Sequence, residues 1–198
     1  MNSNSIILDI LSKGLVSHLD MFNMMEKDEV LIESVLKAAL LAEKSVVQDG
    51  ALYFCGNGGS AADSQHIATE FVSRFYRERN AINAEALTVN TSSITAIGND
   101  YCFERVFVRQ VEAKAHKGDT LFGISTSGTS KNILCALDYA ASRSINTILL
   151  TGKSAPDDCE ERYDCVIRVP SFDTPRIQEA HIFIGHILAE YIEQRIID

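Results

Sequence analysis

His66 and Glu70 stand four residues apart in the stretch Ser64–Gln65–His66–Ile67–Ala68–Thr69–Glu70. On a helix that spacing puts both side chains on one face, about a turn apart. An imidazole and a carboxylate so placed can share a metal ion, act as a general acid and base, or form a solvated helix contact. A second polar set (Gln178, Glu179, His181, His186 and Glu190) lies near the C-terminus and reads equally as a polar helix face. Two further segments combine glycine with hydroxyls: Cys55–Gly56–Asn57–Gly58–Gly59–Ser60 and Ser125–Thr126–Ser127–Gly128–Thr129–Ser130. Glycine lets the backbone turn tightly and approach a ligand. Free amides at the start of a following helix favour an anion. Every residue of the second segment except Gly128 carries a hydroxyl, which adds donors for the oxygens of a phosphate. Each segment alone is equally a turn with a helix cap. Two of them after two strands of one sheet are more specific, and Ser125–Ser130 is where the phosphate is expected.

Nucleotide patterns fit less well. No Gly-Lys-Ser/Thr ending of a P-loop is present. Gly56, Gly58 and Ala61 satisfy the looser Gly-x-Gly-x-x-Ala pattern of dinucleotide sites, but the next strand candidate ends in Val89–Asn90, without the acidic residue that would hold a ribose.

The elements that must position these residues follow from apolar spacing. Ile6, Ile7, Ile10, Leu11, Leu15, Leu19 and Phe22 repeat near helical period, as do Val30, Leu31, Val35, Leu36, Ala39, Leu40 and Val46. Two helices over the first fifty residues cannot bury themselves alone, so they must pack on the main domain or on another subunit. From residue 51 short apolar runs take over, at 52–55, 85–89, 120–124, 147–150 and 165–169. Helical patterns lie at about 60–76, 102–115, 131–143 and 175–197. Such alternation predicts a parallel sheet with helices on both faces, with ligands at the C-terminal ends of the strands. One domain is expected over 1–198, a helical extension at 1–50 and an α/β core at 51–198.

Composition excludes several classes. No apolar stretch approaches the roughly 18–20 residues of a membrane span, and the N-terminus lacks a signal peptide's basic region and apolar core. A cytoplasmic protein is expected. Five cysteines without a Cys-x-x-Cys pair suit reduced thiols. A net charge of −9 argues against a nucleic-acid binder, yet leaves room for a small anion held by backbone amides.

Taken together, the segments Gly56–Asn57–Gly58–Gly59–Ser60–Ala61–Ala62–Asp63–Ser64–Gln65–His66, Gly98–Asn99–Asp100, Gly123 to Ser130, Leu150–Thr151–Gly152–Lys153 and Arg176–Ile177–Gln178–Glu179–Ala180–His181 with His186 resemble the sugar isomerase (SIS) domain family. The likeness is closest to its heptose branch, whose members share the two leading helices.

The resemblance implies a three-layer sandwich with a five-stranded parallel sheet, flavodoxin-like, after two N-terminal helices. It implies an aldose–ketose isomerase that converts sedoheptulose 7-phosphate to D-glycero-D-manno-heptose 7-phosphate, the first step towards the activated heptose of lipopolysaccharide core or capsule. Carried over, Ser125, Thr126, Ser127 and Ser130 bind the phosphate, and Asn57, Gly58, Gly59, Asn99, Asp100, Glu70 and Gln178 the sugar. Glu70 and His186 form the acid–base pair. His66, Glu70, Gln178 and His186 hold one zinc ion per subunit of a homotetramer, with no nucleic acid or membrane as partner. On a continuous helix residues 178 and 186 lie about 12 Å apart along the axis. A site assembled across a subunit interface is therefore expected. The chain departs from the family at Pro175, where some members carry an acidic residue, so no sugar contact is carried over there. Two other readings stay open: a non-catalytic relative that binds a bacterial replication initiator, and an isomerase of hexosamine or pentose phosphates.

Overall fold

The computed structural model describes residues 3–197. Helix α1 (Ser3–Lys27) passes into α2 (Glu29–Val47) at Asp28, whose carboxylate accepts the Leu31 amide at 3.0 Å and caps α2. Strands β1 (Leu52–Gly56), β2 (Ala84–Ala86), β3 (Thr120–Ile124), β4 (Asn146–Gly152) and β5 (Cys165–Val169) then form one parallel sheet in the order β2-β1-β3-β4-β5. The crossovers are α3 (Gly59–Val72), α4 (Thr91–Asp100), α5 (Val108–Lys114), α6 (Lys131–Ser142) and the short α7 (Cys159–Arg162), and the last element is α8 (Thr174–Ile197). The α/β architecture expected from the alternating pattern is the one observed.

Strand side chains alternate between two cores. Leu52, Phe54, Phe122, Ile124, Ile148 and Leu150 face α2, α3 and α8. Tyr53, Cys55, Leu121, Leu149 and Val166 face α5 and α6. Phe54 stacks on Phe122 with ring centroids 4.6 Å apart. At the N-terminal edge of the sheet, the buried Ser45 hydroxyl donates to the Gly118 carbonyl at 2.6 Å and bonds the Thr120 hydroxyl at 2.7 Å, which pins α2 to β3.

Helix α1 is different. Its buried residues are Met21 and Met25, while Ile6, Ile7, Ile10, Leu11, Leu15 and Leu19 remain exposed. Arg176 donates to the Gly14 carbonyl at 2.7 Å and His18 bonds Glu179 at 2.7 Å, tying its middle to α8. No helix among the described residues is long and apolar enough to cross a membrane.

Strand order reverses direction between β1 and β3. Loops leaving neighbouring strands at such a switch point diverge to opposite faces and open a crevice between them. The loops after β1 and β3 are the two glycine- and hydroxyl-rich segments.

Candidate active site

The β3 loop is folded on its own hydroxyls. Ser125 Oγ donates to Ser130 Oγ at 3.1 Å, and the Ser127 and Thr129 hydroxyls meet at 2.9 Å. Gly128 closes the turn with its amide on the Ser125 carbonyl at 3.0 Å and sits at φ +67°. Ser130 stands at the N-cap of α6 without any side-chain capping bond. Capping therefore does not account for its hydroxyl. The loop is moored to the next strand by the Gly152 amide on the Thr126 carbonyl at 3.0 Å.

The β1 loop leads into α3 through Gly58 at φ +55°. Asn57 is locked: its carboxamide and that of Asn132 exchange two hydrogen bonds of 2.9 and 2.8 Å. The pair orients its side chain and ties the β1 loop to the start of α6. Asn132, buried in the first turn of α6, was missed by spacing and motif alone; its partner lies 75 positions away. Asn99 and Asp100 end α4, exposed, and their described bond is to each other at 2.9 Å.

Helices α3 and α8 bring the acid–base residues together. A Cβ on Gly185 would stand 2.5 Å from Ile67 Cγ1, so this glycine lets α8 close on α3. The next residue, His186, then reaches His66, Nε2 to Nε2 at 2.8 Å, and His66 Nε2 lies 3.5 Å from Glu70 Oε1. Ligand atoms of His66, Glu70 and His186 all fall within 4.8 Å of one another. Phe75 covers the His186 ring at 5.7 Å.

Gln178 is elsewhere. Its carboxamide lies against Gly59, where a Cβ would stand 2.2 Å from Nε2. α8 is continuous through Gln178 and His186, so about 12 Å of helix separates them along the axis. Within one chain the structure brings together three of the four expected metal ligands.

Two buried groups nearby have displaced titrations. Burial raises the Asp63 carboxyl to about 6, partly opposed by His66. Burial lowers His181 to about 4, against a weaker opposing hydrogen bond with the Thr151 carbonyl. For His181 the fold favours the neutral ring, so stability falls as pH drops from 6.5 towards 4. For Asp63 the fold favours the neutral acid, so its contribution falls as pH rises from 3.8 through about 6, an opposite trend. Replacing His181 by Gln, which can still donate to Thr151, is expected to remove the histidine's acid loss, on the order of 3 kcal/mol. Urea unfolding of both proteins between pH 7 and 4 checks this; parallel pH profiles would contradict it.

A parallel sheet with this strand order, two loops at its switch point and a His–Glu–His group between α3 and α8 define an α/β protein with a ligand crevice at the C-terminal ends of its strands. A profile of the SIS domain matches residues 21–152. The chain is 52% identical to phosphoheptose isomerase 2 of Campylobacter jejuni over 86% of this chain and 84% of that one. It is 47% identical to the phosphoheptose isomerase of a Nitratiruptor species over 95% and 99%. The solved phosphoheptose isomerase of Neisseria gonorrhoeae superposes with a TM-score of 0.87 at 37% identity, covering 95% and 99%. The chain belongs to the phosphoheptose isomerases of the SIS domain family, and is a sugar-phosphate isomerase of heptose biosynthesis.

Proposed function

We propose that the chain interconverts sedoheptulose 7-phosphate and D-glycero-D-manno-heptose 7-phosphate by moving a proton between C1 and C2 through an enediol. The observation that carries this is the His66–Glu70–His186 convergence at the α3/α8 contact. Glu70 takes the carbon-bound proton, and His186 exchanges protons with the neighbouring oxygens. Ser125, Thr126, Ser127 and Ser130 hold the phosphate at the α6 N-terminus. Asn57, Gly58 and Gly59 line the sugar, with the Asn57 carboxamide oriented by its paired bonds to Asn132. Asn99, Asp100 and Gln178 hold hydroxyls.

Two imidazoles and a carboxylate are a fitting donor set for zinc. His66, Glu70 and His186 would hold the ion, which when bound polarises the carbonyl and stabilises developing negative charge.

A homotetramer with sites shared between copies fits three features. Gln178 reaches a common ion only from a second copy. Glu70 lies eleven residues along α3 from Gly59, about 16 Å from the switch-point loops, farther than a heptose phosphate spans. The apolar face of α1 is exposed among the described residues at Ile6, Ile7, Ile10, Leu11, Leu15 and Leu19. Unpaired thiols at Cys55, Cys102, Cys135, Cys159 and Cys165 suit a cytoplasmic enzyme, and the product supplies heptose for surface polysaccharide.

A coupled assay with seven-, six- and five-carbon ketose phosphates tests the substrate. Preference for the heptulose is expected by at least tenfold in kcat/KM, the scale on which one missing group discriminates. A clear preference for a shorter ketose phosphate overturns the assignment. Zinc titration should show one ion per chain, weakened by His66→Ala and lost on dilution to monomer. Full occupancy in a dilution-stable monomer contradicts the shared site.

A further inference from the structure

Glu193, near the end of α8, is fully buried and sits among backbone donors. Its carboxylate accepts the amides of Phe75, Tyr76 and Arg77 at 2.9, 2.8 and 2.9 Å. These three residues belong to the segment that follows α3, which has no regular structure of its own. Arg79, with a side chain 3% exposed, lies 3.4 Å from the same carboxylate. Its guanidinium turns the other way to donate to the carbonyls of Phe71 and Glu70, each at 2.8 Å.

Those carbonyls are among the last four of α3, which have no partner inside the helix. Ser73 ends α3 without a glycine or proline stop signal. Arg79 caps both carbonyls, that of Phe71 together with the Ile82 amide at 3.1 Å, and Glu193 neutralises Arg79 in a place where an unpaired charge would be costly. Burial alone would raise the Glu193 carboxyl, but the three amides and Arg79 outweigh it and hold it below its ordinary value.

The clamp touches the reacting group at two points. One is the backbone of Glu70 itself. The other is Phe75, whose amide is held by Glu193 and whose ring packs on His186 at 5.7 Å. We infer that Glu193 and Arg79 are positioning residues for the isomerisation: they fix the last turn of α3 and the segment behind it, so that Glu70 and His186 keep their mutual aim. This rests on the acid–base assignment proposed above. Among the described contacts of Glu193 and Arg79 none involves the β3 loop, so the clamp is expected to leave phosphate binding unchanged.

Kinetics of four clamp and control variants test this. Glu193→Gln keeps the shape but loses the charge and one acceptor, and kcat is expected to fall about 100-fold, the effect of displacing a reacting group by an ångström. KM for the sugar phosphate should stay as in wild type. Glu193→Asp, which restores a carboxylate, should recover kcat to within about tenfold. Arg79→Lys, able to cap fewer carbonyls, should lower kcat and leave KM alone, and it decides the matter if Glu193→Gln does not fold. Val111→Ala, in the other core, serves as a control for lost stability, and it should keep its kcat at a comparable drop in Tm. Wild-type kcat in Glu193→Gln and Arg79→Lys, a change in KM alone, or an equal kcat loss in Val111→Ala would each overturn the inference. Glu70→Gln and His186→Gln, run alongside, separate the two levels. If they are inactive while the clamp variants are not, only the clamp fails. If they turn over normally, the acid–base assignment fails and the clamp falls with it.

Discussion

Glu70→Gln is expected to lower kcat by about 10³-fold, within the 10²–10⁴ range that a positioned general base contributes. The substitution is nearly isosteric, and glutamine is as good a helix former as glutamate. The Glu70 side chain is 21% exposed and its described contact is His66, so no buried partner is orphaned by the change. Tm should therefore stay close to wild type, within the roughly 0.5 kcal/mol usual for such positions. What the amide cannot do is accept a proton from carbon. Because Glu70 is also a proposed metal ligand, zinc affinity should weaken as well, and activity at saturating zinc isolates the proton transfer. KM should move little, since the phosphate end of the substrate is bound elsewhere. A Glu70→Gln protein that turns over heptulose phosphate like wild type would place the base at another residue.

Much of the architecture was legible because strands buried on both faces read as short continuous apolar runs. The runs at 52–55, 120–124, 147–150 and 165–169 coincide with four of the five strands. The fifth is shorter than its run. After the Leu87 amide makes the last ladder bond to the Phe54 carbonyl, the Val89 amide turns back onto the Ala86 carbonyl at 3.3 Å and Asn90 caps α4 through the Ser93 amide at 2.9 Å, so β2 stops at Ala86. Helix α4 itself was not anticipated. Its sequence, Thr91–Ser92–Ser93–Ile94–Thr95, is rich in β-branched and hydroxyl residues that favour other conformations locally. The Asn90 cap and the packing of Ile94 and Ile97 on the second core override that preference. The helix expected over 102–115 is divided into a 3₁₀ turn at Phe103–Arg105 and α5.

The site divides in the same way. Local signals exposed both loops, the His66/Glu70 face and the axial distance between Gln178 and His186. What stayed hidden depends on pairs remote in the chain. Nothing near Asn57 announces Asn132, which orients its amide, and nothing near Glu193 announces the three amides more than a hundred residues earlier. Gly185 did carry a signal, a glycine inside an apolar helical pattern next to a histidine. Its meaning, a close approach of two helices, required knowing that α3 lies opposite.

Gly128→Ala should produce the opposite kinetic split from Glu70→Gln. The residue sits at φ +67°, where a side chain is strained whatever the space around it. An added Cβ would stand 2.4 Å from Ala155 Cβ and 2.9 Å from Ala155 Cα, and a backbone atom cannot swing aside. Relief must come from the loop, which would open the Gly128–Ser125 turn and the Ser125–Ser130 hydroxyl contact. Losing one or two hydrogen bonds to a charged phosphate, at about 1.5–3 kcal/mol each, raises KM by roughly 100-fold. At saturation kcat should fall far less, because Glu70 and His186 stand on α3 and α8, outside the loop. Inorganic phosphate, which probes the anion site alone, should bind wild type and Glu70→Gln alike in calorimetry and escape detection in Gly128→Ala. Unchanged KM and phosphate binding in Gly128→Ala would mean that the anion is held elsewhere. A Glu70→Gln protein that had also lost phosphate would mean that the loop and the acid–base group are not the separable ends of one substrate.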